Sequence, residues 1–137
     1  MDIVDFFGGS RRRAAIQLLD RTLANLEVNP AYIDDGMRFA IYRWARAAGE
    51  GTVAENGVVD ALMREAAALI SFCVLGPGET EAMWGADVRA EREARFDAVI
   101  ASGEDDSFDA KLIKLVLAKG VAAPEILERV SLDEAST

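Results

Sequence analysis

The sequence of 137 residues contains no histidine and a single cysteine. Histidine is the only unperturbed side chain that titrates between about pH 5 and 8, and it is the commonest metal ligand. Its absence excludes Ser-His-Asp and Cys-His catalysis, haem held by His, the Glu-x-x-His di-iron bundle and every His-containing zinc site. The lone thiol, Cys73, cannot close an intrachain disulfide and lies in the apolar run 66–75 between Phe72 and Val74. It reads as a small buried hydrophobe, since a reactive thiol would want exposure and nearby cations. A basic leader is also missing: Met1-Asp2-Ile3-Val4-Asp5 is acidic where a signal or transit peptide would be positive. Long uninterrupted hydrophobic runs are lacking too, because the most apolar window, 58–75, carries Asp60, Arg64 and Glu65. Those charges argue against a bilayer span, and with no export signal and one lone thiol a reducing cytoplasm is the expected compartment. Phosphate-binding loops are absent as well. Gly8-Gly9-Ser10 has no Gly-Lys pair at the spacing of a P-loop.

What the sequence does contain is 51% hydrophobic and 28% charged residues. A chain of this length buries roughly two-thirds of its unfolded surface, so one self-sufficient domain over 1–137 is expected. Its turn signals mark helical lengths. Ile16, Leu19, Leu23 and Leu26 share a helix face, with Ser10 as a candidate N-cap, which predicts a first helix over 10–26. Asn29-Pro30 is a start signal for a second helix whose stripe of Ile33, Met37, Ile41, Trp44 and Ala48 runs across Gly36 to Gly49. Asp35-Gly36 offers the alternative of a later start. From Ala66 onward, residues 58–75 are apolar on nearly every side, and a helix of that kind is buried all round. This third helix is expected at the centre and should stop at Gly76-Pro77-Gly78.

A fourth helix, about 79–101, alternates charges, and the pairs Arg89 with Glu93 and Glu91 with Arg95 stand at i, i+4. Trp84, Val88, Phe96, Val99 and Ile100 form its core side, interrupted at Arg92. Ser107 and Gly120 bracket a fifth helix with Phe108, Leu112, Leu115 and Val116 inward. Pro124 opens a short last helix through about Val130, after which 132–137 is expected to fray. The fold class is therefore all-α, a bundle of five or six helices around the apolar third one.

Several constellations can be weighed against plainer roles. The turn at Gly120 resembles a helix-turn-helix corner in spacing, but Glu125 and Glu128 would present the wrong sign to phosphates, and the chain carries a net charge of −9. Nucleic acid is disfavoured as a partner. Carboxylates alone can hold magnesium, and the candidates are Glu125 with Glu128, and Glu104, Asp105, Asp106 and Asp109. The second group is better explained as a solvated turn and helix start. A metal-dependent phosphohydrolase-type enzyme is accordingly the second functional reading and a nucleic-acid-binding regulator the third. No cofactor is implied. Trp44 and Trp84 sit on apolar stripes and read as core rather than as a ligand cage.

The most unusual feature is Arg11-Arg12-Arg13, which a helix starting at Ser10 would place in its first turn, against the positive dipole end. Residues 1–48 hold seven bases and six acids, whereas 49–137 hold eight bases and eighteen acids. Arg38, Arg43 and Arg46 add guanidinium beside Tyr42. These six arginines are the expected contact for an acidic partner or anion, the alternative being pairing with the protein's own acidic half. The leader Ile3, Val4, Phe6 and Phe7 is apolar enough to close over the core or reach a second subunit. The leading functional expectation is a cytoplasmic helical protein that acts by binding another protein or itself, with a homodimer as the simplest assembly.

Overall fold

The computed structural model describes the backbone of residues 3–136 and the side chains of residues 9–131. Among the described residues there are six α-helices, one short 3-10 helix and no strand. The all-α expectation holds. Chain contacts divide the protein into two compact units, Met1–Ala67 and Ala68–Thr137. None of the described helices is long and apolar enough to cross a membrane.

In the first unit, α1 spans Ile3–Asn25. It therefore starts seven residues before Ser10, which is an interior helix residue and not an N-cap. Gly8 and Gly9 each disfavour a helix by roughly 1 kcal/mol, yet propagation adds a hydrogen bond per residue and carries the helix through them. The side chains of Ile3, Val4, Phe6 and Phe7 lie outside the described residues, and the expectation for the leader lies there with them. Ala15, Leu19 and Leu23 are buried one turn apart, while Ile16 and Leu26 are half-buried.

The end of α1 is a Schellman turn without glycine. Val28 N–H donates to Leu23 O at 3.0 Å and Glu27 N–H to Ala24 O at 3.1 Å, with Glu27 at φ 62. That position usually takes Gly, because a Cβ there costs about 1–2 kcal/mol. Burial of both Val28 and Leu23, the hydrophobic pair of this motif, offsets that cost.

The second helix starts in two steps, so the single long helix expected from Asn29 is corrected. Asn29 caps only a 3-10 turn, Pro30–Tyr32, by accepting from Ala31 N–H at 2.9 Å. Asp34 then caps α2 (Asp35–Gly49) by accepting from Met37 N–H at 2.9 Å. An extended Ile33 separates the two, because each cap needs a non-helical residue of its own. Met37, Ala40, Ile41, Tyr42, Ala45 and Gly49 form the buried face of α2, with Trp44 half-buried and Ala48 exposed. Arg38 fastens α2 to α1, its Nε donating to Asp20 at 2.8 Å and its Nη1 to Ile33 O at 2.7 Å.

The longest helix, α3 (Glu55–Trp84), gives Val59, Met63, Ala66 and Ala67 to the first unit and continues into the second. Leu69, Ile70, Phe72 and Cys73 are each 1% exposed, as the apolar run predicted. The expected stop at Gly76-Pro77 is a kink, with Gly76 at φ 87 and ψ 168, after which the helix resumes to Trp84. Pro77 has no N–H to give the carbonyl of Cys73, four residues before it. Ala123 N–H donates to that carbonyl instead, at 2.8 Å, and Thr80 Oγ1 donates to Gly76 O at 2.7 Å. The carbonyl left without its usual donor by Pro77 is thereby satisfied.

The break between α3 and α4 (Ala86–Ser102) falls at Gly85, at φ 95, so the fourth helix is shorter than the expected 79–101. Phe96 is its one fully buried side chain, with its ring centroid 5.8 Å from that of Phe72. Trp84, Val88, Val99 and Ile100 are half-buried. Ser107 caps α5 (Phe108–Lys119) by accepting from Ala110 N–H at 3.1 Å, and Gly120 closes it at φ 78. Leu112, Ile113 and Val116 are its core face. The last helix, α6, runs Pro124–Ser136, past the expected end at Val130. The side chains of the tail expected to fray lie outside the described residues.

Candidate functional site

The structure sorts the six candidate arginines into three groups. Arg38 is structural: besides Asp20 and Ile33 O it reaches Asp35 at 3.4 Å, and its side chain is 15% exposed. Arg13 is exposed on α1 and lines neither cleft described below. The remaining four, Arg11 and Arg12 of α1 and Arg43 and Arg46 of α2, come together around Tyr42. Since α1 begins at Ile3, the arginine triplet sits well inside the helix, and the dipole opposition expected for a first turn does not apply.

Two clefts share this face. The smaller, about 380 Å³, is bounded by Arg12, Phe39, Tyr42, Arg43, Arg46 and Glu50. Arg12 Cζ lies 5.4 Å from the ring centroid of Phe39, a cation–π contact between α1 and α2 that leaves the ring 46% exposed. At an exposed site such a contact is worth about 0.5–1 kcal/mol. The larger cleft, about 680 Å³, has Arg11 from α1, Tyr42 and Arg46 from α2, and Glu55 and Asp60 from α3 on its walls. Tyr42 and Arg46 border both. Tyr42 is only 8% exposed, and among the described residues nothing hydrogen-bonds its hydroxyl.

Charge pairing is missing on this face, as it is at Arg13, Arg21, Arg64 and Arg92 among the described residues. Among the described residues no carboxylate lies within ion-pair distance of Arg11, Arg12, Arg43 or Arg46. In the second unit Arg95 makes a two-pronged pair with Asp109, at 2.8 and 2.6 Å. This replaces the Glu91–Arg95 pair expected along the helix, because a planar guanidinium and a carboxylate on a neighbouring helix can meet side-on. The other expected pair, Arg89 with Glu93, is present at 3.7 Å, and Arg89 also reaches Glu81 at 3.2 Å. Arg129 of α6 holds Glu93 and, at 3.1 Å, Asp97. Arg92, where the core stripe of α4 is interrupted, is half-buried, and its Nε has no hydrogen-bond partner among the described residues.

The acidic candidates for a metal are dispersed. Asp109 is engaged by Arg95, Asp105 by Lys114 at 3.1 Å, and the Glu125 carboxylate lies against Gly76. Among the described residues no three Asp, Glu or Cys side chains gather in a way that could hold a metal ion. Cys73 is buried, and burial pushes its thiol up to about 12, with the Arg95 charge pulling modestly the other way. It therefore stays protonated at neutral pH and is no nucleophile.

The sequence places Arg43 and Arg46 beside Tyr42, but nothing in it marks Tyr42 as bordering both clefts or the α3 carboxylates as lining one of them. A partial signal existed, since Tyr42 and Arg46 stand at i, i+4 and so share a helix face. No protein-family model, curated protein or solved structure matches this chain.

Proposed function

We propose that the protein acts by binding an acidic polypeptide surface through the α1–α2 face that carries Arg11, Arg12, Arg43 and Arg46. One observation carries this reading: in a protein whose net charge is −9, these four cations gather around Tyr42 on one face and pair with no described carboxylate. Exposed Phe39 adds apolar area in their midst, and Arg together with aromatic residues is the composition of interaction hot spots. A polypeptide is favoured over nucleic acid because Glu50, Glu55 and Asp60 interrupt the field that closely spaced phosphates require.

A second copy of the chain is one such polypeptide. Residues 68–137 hold seven bases and fourteen acids, so a head-to-tail contact between copies has charge complementarity. Poly-L-glutamate is the simplest probe of the face. It should bind saturably at low ionic strength, weaken as salt rises, and lose most of its affinity when Arg12→Glu and Arg43→Glu are combined. Equal binding by the charge-reversed variant removes the reading. Light scattering across the same salt series tells whether copies of the chain occupy the face.

A further inference from the structure

The larger cleft differs in kind from the arginine face beside it. Its cations, Arg11 and Arg46, come from α1 and α2, and its anions, Glu55 and Asp60, both come from α3. Among the described residues none of these four is ion-paired, either with each other or elsewhere. The cleft thus presents positive charge from one side and negative from another, across about 680 Å³. That volume is within the range of small-ligand sites, roughly 300–1,000 Å³. A purely anionic ligand would meet repulsion from Glu55 and Asp60, and a purely cationic one from Arg11 and Arg46. Only a molecule with both charges satisfies the two sides at once. The Tyr42 hydroxyl, on a side chain 8% exposed and without a described partner, supplies a neutral donor at the cationic side. Val59, 7% exposed on α3, adds an apolar surface.

We propose that this cleft binds a small zwitterion with a carboxylate and an ammonium group, as in a free amino acid or a dipeptide. Arg11 and Arg46 hold the carboxylate, with the Tyr42 hydroxyl donating to it, and Glu55 and Asp60 hold the ammonium. A planar guanidinium suits a carboxylate because it can donate two parallel hydrogen bonds. This site goes beyond the acidic-polypeptide reading and differs from it in requiring the α3 carboxylates.

Nuclear magnetic resonance titration of the intact chain with a panel of free L-amino acids and glycyl dipeptides tests the proposal. The expected result is a saturable shift of the Tyr42, Arg46 and Asp60 amide signals with at least one of them. N-acetylation or C-terminal amidation of that same compound should each weaken binding by about tenfold or more, and so should Arg46→Gln and Asp60→Asn in the protein. Both substituted residues are exposed, and an unchanged circular dichroism spectrum confirms the fold. No saturable binding by any member of the panel overturns the proposal, as does equal binding of the acetylated and amidated forms. Asp60→Asn should leave poly-L-glutamate binding intact or strengthen it, while the Arg12→Glu, Arg43→Glu pair should abolish that binding and spare the zwitterion. The two readings therefore fail separately.

Discussion

In residues 68–137, Arg89, Arg95 and Arg129 each grip carboxylates, and Arg129 links α6 to α4 while Arg95 links α4 to α5. In residues 1–67 the arginines are divided differently: Arg38 ties α2 to α1, and Arg11, Arg12, Arg43 and Arg46 meet no described carboxylate. The same residue type thus serves both as internal fastening and as unpaired cation, with most of the fastening in the second unit, where Arg92 alone is left out, and most of the unpaired cations in the first. Composition alone does not separate these uses, because the first unit has acids to spare, ten against eight bases. What separates them is placement, since Glu50, Glu55 and Asp60 line the same clefts as the free arginines without coming within ion-pair distance of them.

The sharpest way to stress the comparison is through two glycines with positive φ, one in each unit. Gly76→Ala in the second unit would bring a Cβ to 3.0 Å from Glu125 Oε2 and 3.1 Å from the Ala123 Cβ, at φ 87. Backbone strain and displaced packing together should cost about 3 kcal/mol in a urea melt. Gly51→Ala in the first unit has a similar φ of 82 but open space around it, and should cost only the backbone part, about 1 kcal/mol. Equal losses would mean that the close approach of α6 to the kink contributes nothing.

Next in size is Arg95→Ala, which removes a two-pronged pair whose side chains are 24% and 26% exposed. A loss of about 1–2 kcal/mol is expected, discounted for that exposure and shrinking with added salt. A change below a few tenths would place Arg95 among the free arginines. Smallest is the effect of Arg11→Gln with Arg43→Gln, which should alter stability by no more than about 0.5 kcal/mol while weakening poly-L-glutamate binding. A large destabilisation would show these residues to be fastenings after all.

How much of this was legible in the sequence follows the range of each interaction. Caps and stops are local, so Ser107, Gly120 and the break at Gly76-Pro77 could be read directly. The buried run through Phe72 and Cys73 was equally plain. The start of α1 was misplaced because two glycines imitate a boundary without enforcing one. Glue such as Arg38 with Asp20, or Arg95 with Asp109, joins residues that only the fold brings together, and nothing local separates those arginines from Arg11 or Arg43. The αL residue Glu27 was hidden for a related reason: its conformation is imposed by the Val28 and Leu23 contact and not by its own preference.

The hydrogen bond from Ala123 N–H to Cys73 O bears on the order in which the second unit assembles. An interior proline leaves one carbonyl without its usual donor, and the donor that replaces it belongs to the loop just before the last helix. That loop can dock only after the kink exists, and the kink is fully satisfied only once the loop has arrived. Opening of one should therefore accompany opening of the other as a single cooperative unit in native-state hydrogen exchange. The Ala123 amide, although it sits in a connecting loop, should be as slow to exchange as the amides flanking Gly76.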